Sequence, residues 1–283
     1  MNNAISSSSM DKVIELHDGR ELGYIEYGDP KGKPFIYIHG HPGSRLEAGF
    51  LAKAAEEHGA RLISVDQPGL GLSTYKPKRK LVDWPNDVVE LADRLNISRF
   101  AVVGFSGGGP HALACACKIP ERLTACGIVS GVGRSSPFIS FLGQWLPWVI
   151  LPLTRKYFVS EEIARRSMMK FTQQWPDPDR RAYAQPWVQD VMVSSLVEGF
   201  RQGTKGAAYE GKLISARNWG FQLEDVQINV YLWHGDLDNQ VPILEAKESA
   251  KKLPHCLATY YPNDGHISTM VNHSHEIIAS MHS

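Results

Sequence analysis

With 283 residues, 43% of them apolar and 21% charged, the chain has the length and composition of one large globular domain with an insertion, or of two average domains. That excludes a largely disordered chain, a collagen-like repeat and a highly charged coiled coil. Thirty basic side chains balance thirty acidic ones, so the cationic excess of a phosphate-neutralising protein is missing and no nucleic-acid partner is expected.

Residues 1–11 are polar and serine-rich and read as a disordered tail. They hold no charged leader followed by an apolar stretch, so a cytoplasmic protein without a secretory signal is expected. Lys12-Val-Ile-Glu-Leu and Glu21-Leu-Gly-Tyr-Ile-Glu-Tyr alternate apolar and polar residues around Asp18-Gly19, a hairpin signal. Phe35-Ile-Tyr-Ile and Arg61-Leu-Ile-Ser-Val read as buried strands, with a helix from about Glu47 to His58 between them. The loop patch Lys76, Lys78, Arg79 and Lys80 reads as solvated.

Val82 to Leu95 predicts a helix, with apolar residues at 88, 91, 92 and 95. Phe100-Ala-Val-Val is a strand, Gly107 to Lys118 a helix stopped by Pro120, and Cys126-Gly-Ile-Val-Ser a strand. Strands at Asn229-Val-Tyr-Leu-Trp and Leu257-Ala-Thr-Tyr-Tyr flank a helix from about Leu244 to Leu253, and a last helix runs from about Thr269 to Met281. Cysteines at 115, 117, 126 and 256 lack metal spacing and read as buried thiols of a reducing compartment.

Alternating strands and helices after an antiparallel start predict a mostly parallel sheet with helices on both faces. The stretch from about Gly133 to Gly220 breaks that alternation and is helical and aromatic. It reads as an inserted cap, giving a core of residues 1–133 and 221–283 and a cap of residues 134–220. Within it, the apolar run from Pro137 to Leu153 contains Gln144, Pro147 and Pro152, too short and broken for a membrane span. It reads as a helix packed on the core, with a mobile lid or an interfacial contact as the alternative. Arg134, Arg155, Arg165 and Arg166 are candidates for holding an anionic group, although solvated surface suits most of them.

Gly104-Phe-Ser106-Gly-Gly108 follows a strand and opens a helix, the context of a nucleophile elbow. Small flanking residues let strand and helix pass closely, and the sharp turn lifts the hydroxyl to the carboxyl end of the sheet. A serine hydroxyl needs a base, and the base an orienting acid. Past the cap, Asp236 and Asp238 both follow a strand, and His266 follows the next one. Asp264 reads as a turn former, and His234, His111, His273, His275 and His282 fit the base less well. The loop His39-Gly40-His41-Pro42-Gly43 follows the third strand; the N–H groups of His41 and Gly107 are the candidate oxyanion donors, since Pro42 has none to offer. No carboxylate or cysteine stands at ligand spacing beside His39 and His41, so no metal is expected.

Together His39-Gly40, Asp66-Gln-Pro-Gly-Leu-Gly-Leu-Ser73, Gly104-Phe-Ser106-Gly-Gly108, Gly235-Asp-Leu-Asp238 with Val241-Pro242, and Gly265-His266 resemble the α/β-hydrolase fold superfamily. The resemblance implies an eight-stranded, mostly parallel sheet with an inserted cap. It selects Asp238 over Asp236, because in the family's element the second aspartate is the acid. It implies a serine hydrolase of the esterase-like branch that acts through an acyl-enzyme on a small to medium, partly apolar ester, with no cofactor. Cofactor-free C–C hydrolases, perhydrolases and lyases on the same triad remain open, as does a ligand-binding protein on this fold with little turnover. The loop at His39 resembles that of epoxide hydrolases, but Ser106 stands where those enzymes and haloalkane dehalogenases have an aspartate. Proline iminopeptidases carry Trp after the serine, where this chain has Gly107. The expected partner is a small-molecule substrate, and the sequence carries no signal of oligomeric state.

Overall fold

A computed structural model describes residues 11–131, 133 and 137–282. The predicted hairpin is formed by β1 (Lys12–Glu15) and β2 (Glu21–Gly28). Gly19 at the turn has φ of +78°, a left-handed conformation natural to glycine. The remaining strands are β3 (Lys33–Ile38), β4 (Ala60–Val65), β5 (Phe100–Phe105), β6 (Leu123–Val129), β7 (Val230–Gly235) and β8 (Cys256–Tyr261). They form one eight-stranded sheet in the order β1-β2-β4-β3-β5-β6-β7-β8. The β1–β2 and β2–β4 pairs are antiparallel and every other pair is parallel.

The helices are α1 (Ala52–Glu57), α2 (Trp84–Arg94), α3 (Gly109–Lys118), α4 (Pro137–Thr154), α5 (Glu161–Phe171), α6 (Asp177–Tyr183), α7 (Pro186–Gly199), α8 (Lys205–Ile214), α9 (Ile243–Lys252), α10 (His266–Asn272) and α11 (Ser274–Met281). Strand side chains alternate between two buried faces. Ile36 and Ile38 point into one core with Val88 and Leu91 of α2 and Ala112 of α3. Phe35 and Tyr37 point into the other with Ala54 and Ala55 of α1 and Ile277 and Ile278 of α11. The parallel sheet with helices on both faces is therefore as expected.

Two boundaries differ from expectation. The stretch predicted as one helix from Glu47 begins as a 3-10 turn over Arg45–Phe50, where the Leu51 N–H bonds the Ala48 carbonyl three residues back, and α1 is short. The last predicted helix is two, α10 and α11. They part at His273, whose φ of −116° leaves the helical range and whose ring bonds the Asp264 carboxylate. Cys115 and Cys126 are buried free thiols, while Cys117 and Cys256 are only partly covered.

Between β6 and β7, α4 to α8 replace the usual single crossover helix. Polar side chains of this insertion reach loops that leave the carboxyl ends of the core strands: Gln202 Nε2, between α7 and α8, donates to the Gly71 carbonyl (2.8 Å), and Glu198 of α7 accepts from Arg45 (2.8 Å). No helix among the described residues is long and apolar enough to cross a membrane. The expectation that the run from Pro137 to Leu153 packs on the core is corrected. Among its residues whose side chains are described, α4 turns only Gly143, Pro147, Leu151 and Thr154 partly inward, and Phe141, Leu142, Trp145, Leu146, Trp148, Val149, Ile150 and Leu153 are exposed. Phe138 and Arg134 lie outside the residues whose side chains are described.

Candidate active site

The chain leaves β5 through Ser106, which has φ of +49°, and enters α3 through a 3-10 turn over Ser106–Gly108. The glycines around the serine are steric necessities. A Cβ on Gly104 would lie 2.4 Å from the Gly108 carbonyl oxygen, and one on Gly108 would lie 2.2 Å from that of Ile38. Strand, turn and helix thus touch backbone to backbone, which aims Ser106 out of the sheet's carboxyl end.

His266 and Asp238 come from the two neighbouring strand ends, β8 and β7. His266 Nδ1 is 2.7 Å from Asp238 Oδ2. A carboxylate accepts only, so Nδ1 carries a proton, and in the neutral ring the free lone pair is on Nε2. The other carboxylate oxygen of Asp238 accepts the N–H groups of Gln240 and Val241, each at 2.8 Å. Burial works against the Asp238 charge, but the charge and hydrogen bond of His266 outweigh it and hold the carboxyl below its usual range. Asp236 is exposed, whereas Asp238 is buried against the imidazole. Asp264 is engaged elsewhere, with Asn272 (2.7 Å) and His273 (2.8 Å).

The ring of Phe105, the residue before Ser106, has its centroid 5.0 Å from that of His266. Among the described residues no hydrogen bond joins the Ser106 hydroxyl to the imidazole; catalytic hydrogen bonds of this kind commonly tighten only with substrate bound.

The two candidate oxyanion amides are neighbours. A Cβ placed on Gly107 would lie 3.3 Å from the His41 amide nitrogen and 2.8 Å from the His41 Cβ. His39 does not look like a ligand. Its Nδ1 bonds the Gly40 carbonyl (2.8 Å) and its Nε2 accepts the Gln67 N–H (3.1 Å). Among the described residues no group of three or more His, Cys, Asp or Glu side chains is arranged to hold a metal ion.

Sequence reasoning missed three carboxylates. Glu47 lies beneath the His41 loop and accepts the Gly40 N–H (2.7 Å) and the Tyr37 hydroxyl (2.9 Å). Burial pushes its carboxyl up to about 7 against those two donors. Asp179 of α6 is fully buried and accepts three backbone N–H groups at the start of α10: His266 (2.9 Å), Ile267 (3.0 Å) and Ser268 (2.9 Å). A side chain from the helical insertion therefore fixes the backbone of the candidate base. The only sequence signal was an acidic residue in the first turn of a short helix.

Glu210 of α8 is the third. It is buried against Arg79, with which it hydrogen-bonds, and against His111, 3.1 Å away. Burial works against the Glu210 charge, and His111 and the permanently charged Arg79 outweigh it and hold the carboxyl down. Arg79 is thus no part of a solvated loop, as the sequence suggested; its guanidinium is buried beneath α8. Arg165 and Arg166 pair on the surface with Asp190 and Glu162.

An elbow serine, a buried Asp–His pair and two adjacent amides at the carboxyl edge of this sheet define an α/β hydrolase. Residues 33–272 match the family model for the alpha/beta hydrolase fold, and the chain belongs to that family. Proline iminopeptidase of Xylella fastidiosa is 35% identical over 117 residues, 40% of this chain and 36% of that protein, so that match spans about a third of the relative's length. A putative proline iminopeptidase of Mycoplasma pneumoniae is 24% identical over 92% of this chain and 93% of its own length. Among solved structures, a thermophilic esterase from Thermogutta terrifontis superposes with a TM-score of 0.72 at 18% identity, covering 98% of this chain and 100% of the other. At that identity the likeness speaks for the fold.

Proposed function

We propose that the chain is a serine hydrolase that cleaves an ester-type acyl bond of a small to medium, partly apolar substrate. The observation that carries this reading is the Asp238–His266 hydrogen bond, which ties up Nδ1 and makes Nε2 the ring nitrogen that can take a proton. In the proposed sequence, Ser106 Oγ attacks the carbonyl carbon while His266 Nε2 takes its proton. The carbonyl oxygen becomes an oxyanion held by the His41 and Gly107 N–H groups. It collapses, the ester C–O bond breaks, and the imidazolium returns the proton to the leaving alkoxide. Water, deprotonated by His266, then attacks the acyl-enzyme and releases the acid. Asp238 keeps the ring in the correct tautomer and stabilises the imidazolium.

Ile214 of α8 supports an apolar acyl side, since its Cδ1 comes within 3.2 Å of the position a Cβ on Gly107 would take. Cleavage of an amide after an N-terminal residue is the second reading, favoured by the names of the iminopeptidase relatives. Against it, the Trp those enzymes carry after the serine has no room here, where even a Cβ at 107 meets His41 at 2.8 Å.

A panel of p-nitrophenyl esters of increasing acyl length, run beside prolyl arylamides, tests the choice. The reading expects ester turnover that falls about 10⁴-fold or more in Ser106→Ala and in His266→Ala with the fold retained. Turnover of prolyl arylamides alone moves the assignment to the amide. Wild-type rates in either variant would sink the nucleophile assignment.

A further inference from the structure

We propose that the outward face of α4 is a docking surface for an anionic lipid bilayer. For 18 residues, Pro137–Thr154, α4 contains no charged side chain. A surface helix normally turns its apolar stripe to the core. Here the stripe facing inward is Gly143, Pro147, Leu151 and Thr154, which allows close approach to α8: a Cβ on Gly143 would meet Ser215 at 2.3 Å, and one on Gly211 would meet Pro147 at 3.0 Å. The bulky residues face solvent, with Phe141 at 64%, Trp145 at 68%, Val149 at 60% and Leu153 at 66% exposure. Single exposed apolar residues are ordinary, but a continuous run of this size marks an interaction surface.

Composition identifies the occupant as lipid. Two tryptophans stand on the exposed face, and Tyr157 and Lys156 follow at its end, with the Lys156 Nζ 5.1 Å from the Tyr157 ring centroid. Amphipathic aromatic rings and long cationic side chains beside an apolar face suit the headgroup boundary. Residues 137–171 hold five basic and two acidic side chains in a chain whose formal net charge is zero. Among the described residues neither Arg155 nor Lys156 has a carboxylate partner. A second copy of the chain on the same face is the competing occupant, and the oligomeric state read beside vesicle binding separates the two. α4 is also too short and too interrupted to span a bilayer, so it would lie on the surface.

Vesicle flotation with the full chain tests this, using phosphatidylcholine alone and an equimolar mixture with phosphatidylglycerol. Binding to the anionic vesicles is expected at least about tenfold more tightly than to the zwitterionic ones, weakening as salt is added. Trp145→Glu combined with Leu153→Glu abolishes flotation while ester turnover and the unfolding midpoint stay at wild-type values. Arg155→Glu combined with Lys156→Glu removes the preference for anionic vesicles. Ser106→Ala floats like wild type, which separates this proposal from the fate of the hydrolase reading. Absence of flotation on the anionic vesicles overturns the proposal, as does equal, salt-insensitive binding to both kinds. So does a dimer that dissociates in the Trp145 variant without any vesicle binding.

Discussion

At Gly107 the geometry leaves no room for a side chain. The two candidate oxyanion amides stand close only because this position lacks a Cβ. Gly107→Val would push the His41 loop away and separate the donors. Steady-state kinetics on the preferred ester are expected to show a kcat reduced on the order of 10²-fold, the usual cost of one lost oxyanion donor. An unchanged kcat in a folded variant would show that the His41 amide plays no such part. The serine, its glycines, the histidine and both candidate amides were legible in the sequence because each belongs to a short local motif whose geometry is set by its neighbours. Asp236 and Asp238 were equivalent by position. Burial separates them, since only Asp238 is enclosed against the ring. Asp179 and Glu210 were illegible because each meets its partner across the chain: Asp179 is 87 residues from His266 and Glu210 is 131 from Arg79. Glu47 bonds locally, 7 and 10 residues from Gly40 and Tyr37, but no motif marks it.

Among the secondary-structure elements, α6 and α10 form a mechanical link between the insertion and the core. One Asp179 carboxylate satisfies three of the orphan amides at the start of α10. Asp179→Ala leaves them buried and unpaired, which costs about 1–3 kcal/mol or more. Because the first of these amides belongs to His266, the variant is also expected to lose kcat by about tenfold or more with KM little changed, and Asp179→Asn, which keeps an acceptor, to recover part of both. Chemical denaturation beside kinetics reads the two effects. A stability loss with wild-type kcat would reduce Asp179 to a helix cap.

The strands were foreseeable for a different reason: the first two alternate around a turn and the others read as short apolar runs, and all eight appear within a few residues of expectation. α4 was misjudged because hydrophobicity records that a face avoids water, and cannot record whether protein or something else covers it.

For the molecule as a whole, the carboxyl edge of the sheet buries many ionisable groups. Burial pushes His39, His41 and His111 down to about 4. A base whose folded pKa lies below its unfolded value contributes stability that is complete above about 6.5 and is lost as pH falls towards 4. Each is worth about 3 kcal/mol across that window. Glu47, raised to about 7, works the other way: its neutral form favours the native state, so its contribution fades as pH rises from 4.5 to 7. Asp66, raised to about 6 by burial, works in the same direction as Glu47, whereas Glu210, held down by His111 and Arg79, and Asp238, held down by His266, add to the side of the histidines; the balance is a net loss of stability on acidification. Unfolding midpoints measured from pH 7 down to 4 should therefore fall steeply, and less steeply in His111→Asn; a flat profile would mean that these histidines are accessible to water in the native state.

Covalent labelling tests Ser106 as an activated nucleophile without knowledge of the substrate. The wild-type chain is incubated with a fluorophosphonate beside Ser106→Ala, and intact masses are taken. A single phosphonyl adduct is expected on the wild type and none on the variant. A folded wild-type protein that takes no adduct, or a variant labelled as readily as the wild type, would contradict it.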